Sequence, residues 1–207
     1  MIKAIIFDFG RVISAAKPPE LFHCYEDELG LLRNTINRLM FESDQWQQAL
    51  VGRLTMAQFW QAIGPRLQLN SAAAVTLFQH RYYAAEKINA KILQLLQELH
   101  SSYQLAILSN HPPGLMAWLA DWEIDRLFAV VFCSGDEGIA KPDPQAYRIT
   151  LERLGVEADE AVFIDDTPGH VEAARALGLH GLVFSDCATL TSDLALLTGR
   201  RSAAEKG

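Results

Sequence analysis

Residues 3–14, KAIIFDFGRVIS, deliver a single carboxylate, Asp8, from an apolar run into a glycine turn, with Arg11 following. A short apolar run bounded by a turn signal is the pattern of a strand buried on both faces, as in a parallel sheet. Four more such runs follow: residues 104–108 (QLAIL), 129–133 (AVVFC), 161–164 (AVFI) and 181–184 (GLVF). Helical patterns stand between them. Residues 88–100 set Ile88, Ile92, Leu95, Leu96 and Leu99 on one stripe. Residues 144–154 open on Pro144 and stop at Gly155, and residues 171–177 stop at Gly178. Strand and helix alternate from about residue 87 onward, which predicts an α/β core with a doubly wound parallel sheet.

Residues 17–84 break that alternation. Three segments, 18–40, 43–63 and 71–86, carry helical periodicity with no convincing strand. They read as a small all-helical insertion directly after the first strand, entered at Pro18 and Pro19. The expected division is a core of residues 1–16 and 85–207 and a helical unit of residues 17–84. The polar tail, residues 199–207, is expected to fray.

Composition narrows the function classes. The chain has 207 residues, half of them apolar, enough for a sizeable core. A net charge of -7 disfavours a sequence-independent grip on a phosphate backbone, so nucleic acid is not an expected partner. No apolar stretch reaches the roughly 18 to 20 residues of a membrane span. The opening residues lack a cleavage site, and a cytoplasmic protein is expected. Cys24, Cys133 and Cys187 are odd in number and widely spaced, which suits reduced packing residues better than disulfides or a metal site.

In open α/β sheets ligands bind beyond the carboxyl ends of the strands. The first strand ends in Asp8, the second in Ser109, Asn110 and His111; the third leads to Lys141, and the fourth ends in Asp165 and Asp166. An acid, a hydroxyl, an ammonium and an acid pair suit phosphoryl transfer through an aspartyl phosphate on Asp8. An anion must then approach an anion, which calls for Mg²⁺ between Asp8 and Asp165, with Lys141 and Ser109 taking the remaining phosphate charge. The bland readings are a turn acid for Asp8, a solvated lysine for Lys141 and a helix N-cap for Ser109 ahead of Pro112 and Pro113. Four strand ends pointing to one chemistry outweigh them.

The segments IIFDFGRVI, AILSN, AKPDPQAY and VFIDDTPGHVEAARALG, in this order, resemble the four motifs of the haloacid dehalogenase superfamily. The resemblance covers the whole core and implies a Rossmann-like fold with residues 17–84 as a helical cap. It assigns Asp8 as nucleophile, Ser109 and Lys141 as catalytic and phosphate-binding groups with Asn110 beside them, and Asp165 as metal ligand supported by Asp166. Most phosphatases of this superfamily carry a second acid two residues after the nucleophile. Here that position is Gly10, whose carbonyl can still bind Mg²⁺ while the acid/base role stands vacant. Arg11 stands where a glycine is usual, either contacting substrate or covering the hinge of the cap. His170 stands where an asparagine is frequent, and it and His111 are the candidate substitutes for the missing acid.

A missing general acid costs about 10² to 10⁴ in rate, which a good leaving group offsets in part. A small phosphorylated metabolite is the expected substrate, a sugar 1-phosphate or an acyl phosphate above others, and the first motif is similar to that of the glucose-1-phosphate phosphatase type. Two alternatives stand: 2-haloacid dehalogenation, with Asp8 attacking carbon, and a non-catalytic binding or regulatory protein on the same scaffold. Trp46, Phe59, Trp60 and Tyr83 are expected to form the core of the helical unit, and Arg53 is a residue that could face the site.

Overall fold

The computed structural model describes residues 1–199, so the expected fraying falls almost wholly outside the described residues. Five strands, β1 (Ala4–Phe7), β2 (Gln104–Ser109), β3 (Val130–Cys133), β4 (Ala161–Asp165) and β5 (His180–Val183), form one parallel sheet in the order β3-β2-β1-β4-β5. Each coincides with an expected run to within a residue at either end. β1 lies at the centre, and its side chains alternate between the two faces as strand geometry demands.

Nine α-helices of seven residues or more stand among the described residues. α1 (Pro19–Glu28), α2 (Asp44–Leu50), α3 (Met56–Ile63) and α4 (Ala72–Ala84) all lie between β1 and β2. α5 (Ala90–Leu99), α6 (Leu115–Asp121), α7 (Pro144–Leu154), α8 (Pro168–Ala176) and α9 (Cys187–Thr198) flank the sheet. Ile5 and Phe7 meet Leu96 of α5, Leu119 of α6 and Leu194 of α9 on one face. Ala4 and Ile6 meet Tyr147 and Leu151 of α7 and Ala174 of α8 on the other. Each fully buried Ile, Leu or Phe among these contributes about 1.5–3 kcal/mol. The sheet is therefore doubly wound, as the alternation requires. α6 and α9 are helices that the sequence pattern left unassigned.

The helical insert has a core of its own, in which Phe59, Trp60, Ile63 and Phe78 are buried and Trp46 and Tyr83 pack against them. Its helices are shorter than the periodicity suggests. The segment 18–40 breaks after Glu28, where Gly30 and Asn34 take left-handed backbone, at φ 64° each. Buried Glu26 bridges the break by accepting the Ile36 N–H at 3.0 Å. The segment 43–63 breaks at Gly52 and restarts at Thr55, which forms a capping box with Gln58.

The two crossings between insert and sheet run side by side. Ser14 bridges Ile88 antiparallel, Ala15 N–H donates to Lys87 O at 2.7 Å, and Asn89 N–H donates to Ile13 O at 2.8 Å. Lys17 pairs with Glu86 across this seam, with its ammonium 4.7 Å from the Tyr82 ring centre. Ile88 is spent on the bridge, so α5 starts at Ala90 behind an Asn89 N-cap. The insert also touches the sheet side at Gly52, whose left-handed backbone (φ 69°) lies against the Gly135 carbonyl so closely that a Cβ would collide. A chain of rings adds a third link: Phe9 stacks on Trp122 at 5.5 Å, Trp122 meets Trp118 at 6.0 Å, and Trp118 meets Tyr83 at 5.8 Å. Tyr83 in turn accepts the Trp60 indole N–H at 2.9 Å.

Candidate active site

Register brings the chemistry together. Phe7 pairs with Ile164, and Asp8 N–H donates to Ile164 O at 2.8 Å, which sets Asp8 level with Asp165 at the carboxyl edge of neighbouring strands. Ser109 closes β2 on the opposite side of β1. After Asp8 the chain makes a wide turn over Phe9–Ile13, with Gly10 extended (ψ 126°) and Arg11 left-handed (φ 61°).

Lys141 enters from the loop before α7 and is buried between two acids. Its Nζ lies 2.6 Å from Asp165 Oδ2 and 2.9 Å from Asp8 Oδ1, and 5.3 Å from the Phe163 ring centre. The approach to Asp8 Oδ1 is off the line of a hydrogen bond, so that buried oxygen has a cation beside it but no aligned donor. Asn110 fixes the lysine: its Oδ1 accepts Lys141 N–H at 2.7 Å and its Nδ2 donates to Lys141 O at 2.8 Å. Asp143 caps α7, which starts at Pro144, so the loop carrying Lys141 is anchored at both ends.

Asp165 is held in place by its neighbours. Besides Lys141, its Oδ2 accepts from His170 Nδ1 at 3.1 Å, and its Oδ1 accepts Thr167 N–H at 2.8 Å. Burial alone would raise its pKa, but the His170 hydrogen bond and the Lys141 ammonium hold it below the usual carboxylate value. Asp8 goes the other way. Burial pushes it up, and the neighbouring Asp165 charge adds to that, against the pull of Lys141 and Ser109. A buried cation thus serves two acids whose proton affinities are driven apart.

Asp166 sits at the rim, with its Oδ2 3.0 Å from Arg11 Nη1. Oxygen atoms of Asp8, Asp165 and Asp166 all lie within 4.8 Å of one another. Hard oxygen donors at this spacing, one of them a buried oxygen without an aligned donor, fit a small divalent cation such as Mg²⁺. Asp8, Asp165 and Asp166 would hold it.

The two histidines have defined places. His170 orients Asp165 through Nδ1, while its own carbonyl accepts the Tyr147 hydroxyl at 2.9 Å. His111 packs edge-on against Phe9 and donates from Nδ1 to the Pro112 carbonyl at 2.7 Å. Burial holds its pKa below the ordinary imidazole value. Ser109 is no N-cap. Pro112 and Pro113 keep the backbone extended, and α6 starts only at Leu115, behind Gly114. Among the cysteines, Cys133 is buried and packs as expected, whereas Cys24 is exposed on α1 beside Glu28. Arg53 is exposed at the tip of the turn that carries Gly52. The Arg11–Asp166 pair and the Asn110 clamp on Lys141 had no signature in the sequence, since each joins residues far apart in the chain.

A parallel sheet with this acid–lysine–acid set along its carboxyl edge defines a hydrolase site of the carboxylate-nucleophile class. The chain belongs to the haloacid dehalogenase-like hydrolases, the family whose model matches residues 2–178. It is 26% identical over 202 residues to the sesquiterpene phosphatase astK of Aspergillus oryzae, covering 95% of this chain and 97% of that one. It is 25% identical over 222 residues to bifunctional epoxide hydrolase 2 of Sus scrofa, covering 96% of this chain but only 39% of that protein. In fold it is similar to a haloacid dehalogenase family enzyme from Bacteroides thetaiotaomicron, solved in complex with magnesium and inorganic phosphate. The TM-score is 0.75 and the identity 20%, covering 92% of this chain and 99% of that one. Among the described residues no helix is long and apolar enough to cross a membrane.

Proposed function

We propose that the chain is a Mg²⁺-dependent phosphatase of a small phosphorylated metabolite, working through an aspartyl phosphate on Asp8. The observation that carries this reading is the set of three carboxylates within 4.8 Å beside a buried lysine. A dehalogenase, which attacks carbon, has no use for a cation-binding acid cluster. The name of the Aspergillus relative, which matches over nearly its full length, supports the same choice.

In this reading an oxygen of Asp8 attacks phosphorus, the phosphorus–oxygen bond to the leaving group breaks, and water then hydrolyses the acyl phosphate. The cation would neutralise phosphate charge during attack. Lys141 takes up charge on the phosphate oxygens, Ser109 and backbone N–H groups hold them, and Asn110 keeps Lys141 in place. His170 and Thr167 hold Asp165 in its ionised form. Gly10 offers no proton, so the leaving group departs as an anion or draws its proton from water. That favours a leaving group of low basicity, such as a sugar through its anomeric oxygen. Residues 17–84 act as a cap over a core of residues 1–16 and 85–207, closing at the Gly52–Gly135 contact and keeping bulky substrates out.

The test is phosphate release from sugar 1-phosphates, sugar 6-phosphates, acyl phosphates and nucleotides, with Mg²⁺ or EDTA, beside halide release from a 2-haloacid. Release from the 1-phosphates at least tenfold faster than from the 6-phosphates, and abolished by EDTA, is the expected result. Halide release without phosphate release would replace this reading with dehalogenation.

A further inference from the structure

The three acids differ in what they have left to offer. Both oxygens of Asp165 are taken, by Lys141 and His170 on one side and by Thr167 N–H on the other. Asp8 Oδ1 has no aligned donor. On Asp166 the rim oxygen Oδ2 is held by Arg11, and Oδ1 accepts from the Thr167 hydroxyl at 3.4 Å. Of the three, Asp166 alone lies outside the buried interior, and a guanidinium already stands on it.

Arg11 is built to leave. Its backbone is fixed in the left-handed region, with its N–H 3.3 Å from Ser14 Oγ, while its side chain is 73% exposed and pairs with Asp166 alone among the described residues. A pair this exposed on the arginine side holds the guanidinium weakly. Charge gives the exchange a direction. Three carboxylates, Lys141 and Arg11 sum to one net negative charge, and a divalent cation turns this into one net positive charge. The guanidinium, released from Asp166 at the mouth of the site, then has a phosphate oxygen as its natural partner.

We infer that Arg11 is a stand-in cation on Asp166 that the metal displaces, and that the released side chain then grips the substrate phosphate. Arg11 thereby couples metal binding to phosphate binding. This rests on the phosphatase reading and adds to it an order of events and a second phosphate-binding residue.

The test is calorimetric titration of the full chain as wild type, Arg11→Asn and Arg11→Lys. Asparagine tolerates the left-handed backbone, which keeps the variant folded. With Mg²⁺ alone, Arg11→Asn is expected to bind roughly two- to fivefold more tightly than wild type, because no guanidinium has to be displaced. With inorganic phosphate at saturating Mg²⁺, the order reverses: Arg11→Asn binds about tenfold more weakly, and Arg11→Lys falls between. Unchanged or weaker Mg²⁺ binding by Arg11→Asn overturns the inference, as does unchanged phosphate affinity. In either case wild type that still binds Mg²⁺ and releases phosphate leaves the phosphatase reading intact. A wild type that binds no Mg²⁺ overturns both.

Discussion

Asp8→Asn is expected to release no measurable phosphate while keeping its fold. An amide oxygen cannot form the acyl phosphate, and loss of a covalent nucleophile costs on the order of 10⁴ or more in rate. Stability argues for the same experiment from the other side. Asp8 is buried, its charge is repelled by Asp165, and the cation it shares with Asp165 is closer to the latter. Replacing it by a neutral isostere removes a desolvated charge and a repulsion at the cost of one off-line ion pair and a weaker hydrogen bond from Ser109. The variant should therefore unfold within about 1 kcal/mol of wild type, or above it, in urea. A variant that is inactive but strongly destabilised would mean that Asp8 is structural; an active one would remove it from the chemistry. If the phosphoenzyme forms as proposed, wild type with a reactive substrate also shows a burst, since the vacant acid/base position at Gly10 slows hydrolysis as well as attack.

Lys141→Met is expected to be the most destabilising substitution in the site, by about 3–5 kcal/mol at neutral pH. Methionine fills similar space, so the loss is electrostatic: Asp8 and Asp165 are left buried and facing each other with no cation between them. The sign of the pH dependence follows. In wild type the lowered pKa of Asp165 contributes stability in full above the ordinary carboxylate range, and that share is lost as pH falls through the folded value. The raised pKa of Asp8 works oppositely, contributing below its unfolded value and losing its share as pH rises through the folded value. Without Lys141 both acids move upward, so the variant gains on wild type as pH is lowered from neutral toward the carboxylate range. Unfolding midpoints from pH 8 to 5 should show the gap closing. A gap that stays constant, or a variant as stable as wild type, would contradict the geometry. Phosphate release should be lost at every pH.

The sheet was legible because five apolar runs of the right length each ended at a turn signal, and the residue just past each end fell at the carboxyl edge. Asp8, Ser109, Asp165 and Asp166 were found that way, and Lys141 by following the third run through the loop behind it. Helix ends were less legible. The stripe through Ile88 is helical by period, yet that residue pairs with Ser14, and periodicity cannot weigh a bridge to a residue 74 positions earlier. The apolar period in residues 18–40 likewise runs through Gly30, where the backbone turns left-handed. What the pattern could not supply at all was partnership. Asp165 and Asp166 are adjacent and chemically identical, and only the fold separates them: one is buried among Lys141, His170 and Thr167, the other paired with Arg11 at the rim. Asn110 read as a group for substrate, and its amide is found clasping the Lys141 backbone.

The ring chain from Phe9 to Trp60 also makes the protein its own optical gauge. Of the four tryptophans, Trp118 and Trp122 ride on the sheet side and Trp46 and Trp60 on the insert. Among the described residues the Tyr83–Trp118 contact is where aromatic rings meet across the divide. Any separation of the two sides parts that pair while the remaining rings keep their neighbours. The emission of Trp118, one stacked pair away from Phe9 and hence from the nucleophile, would report the movement without an added label.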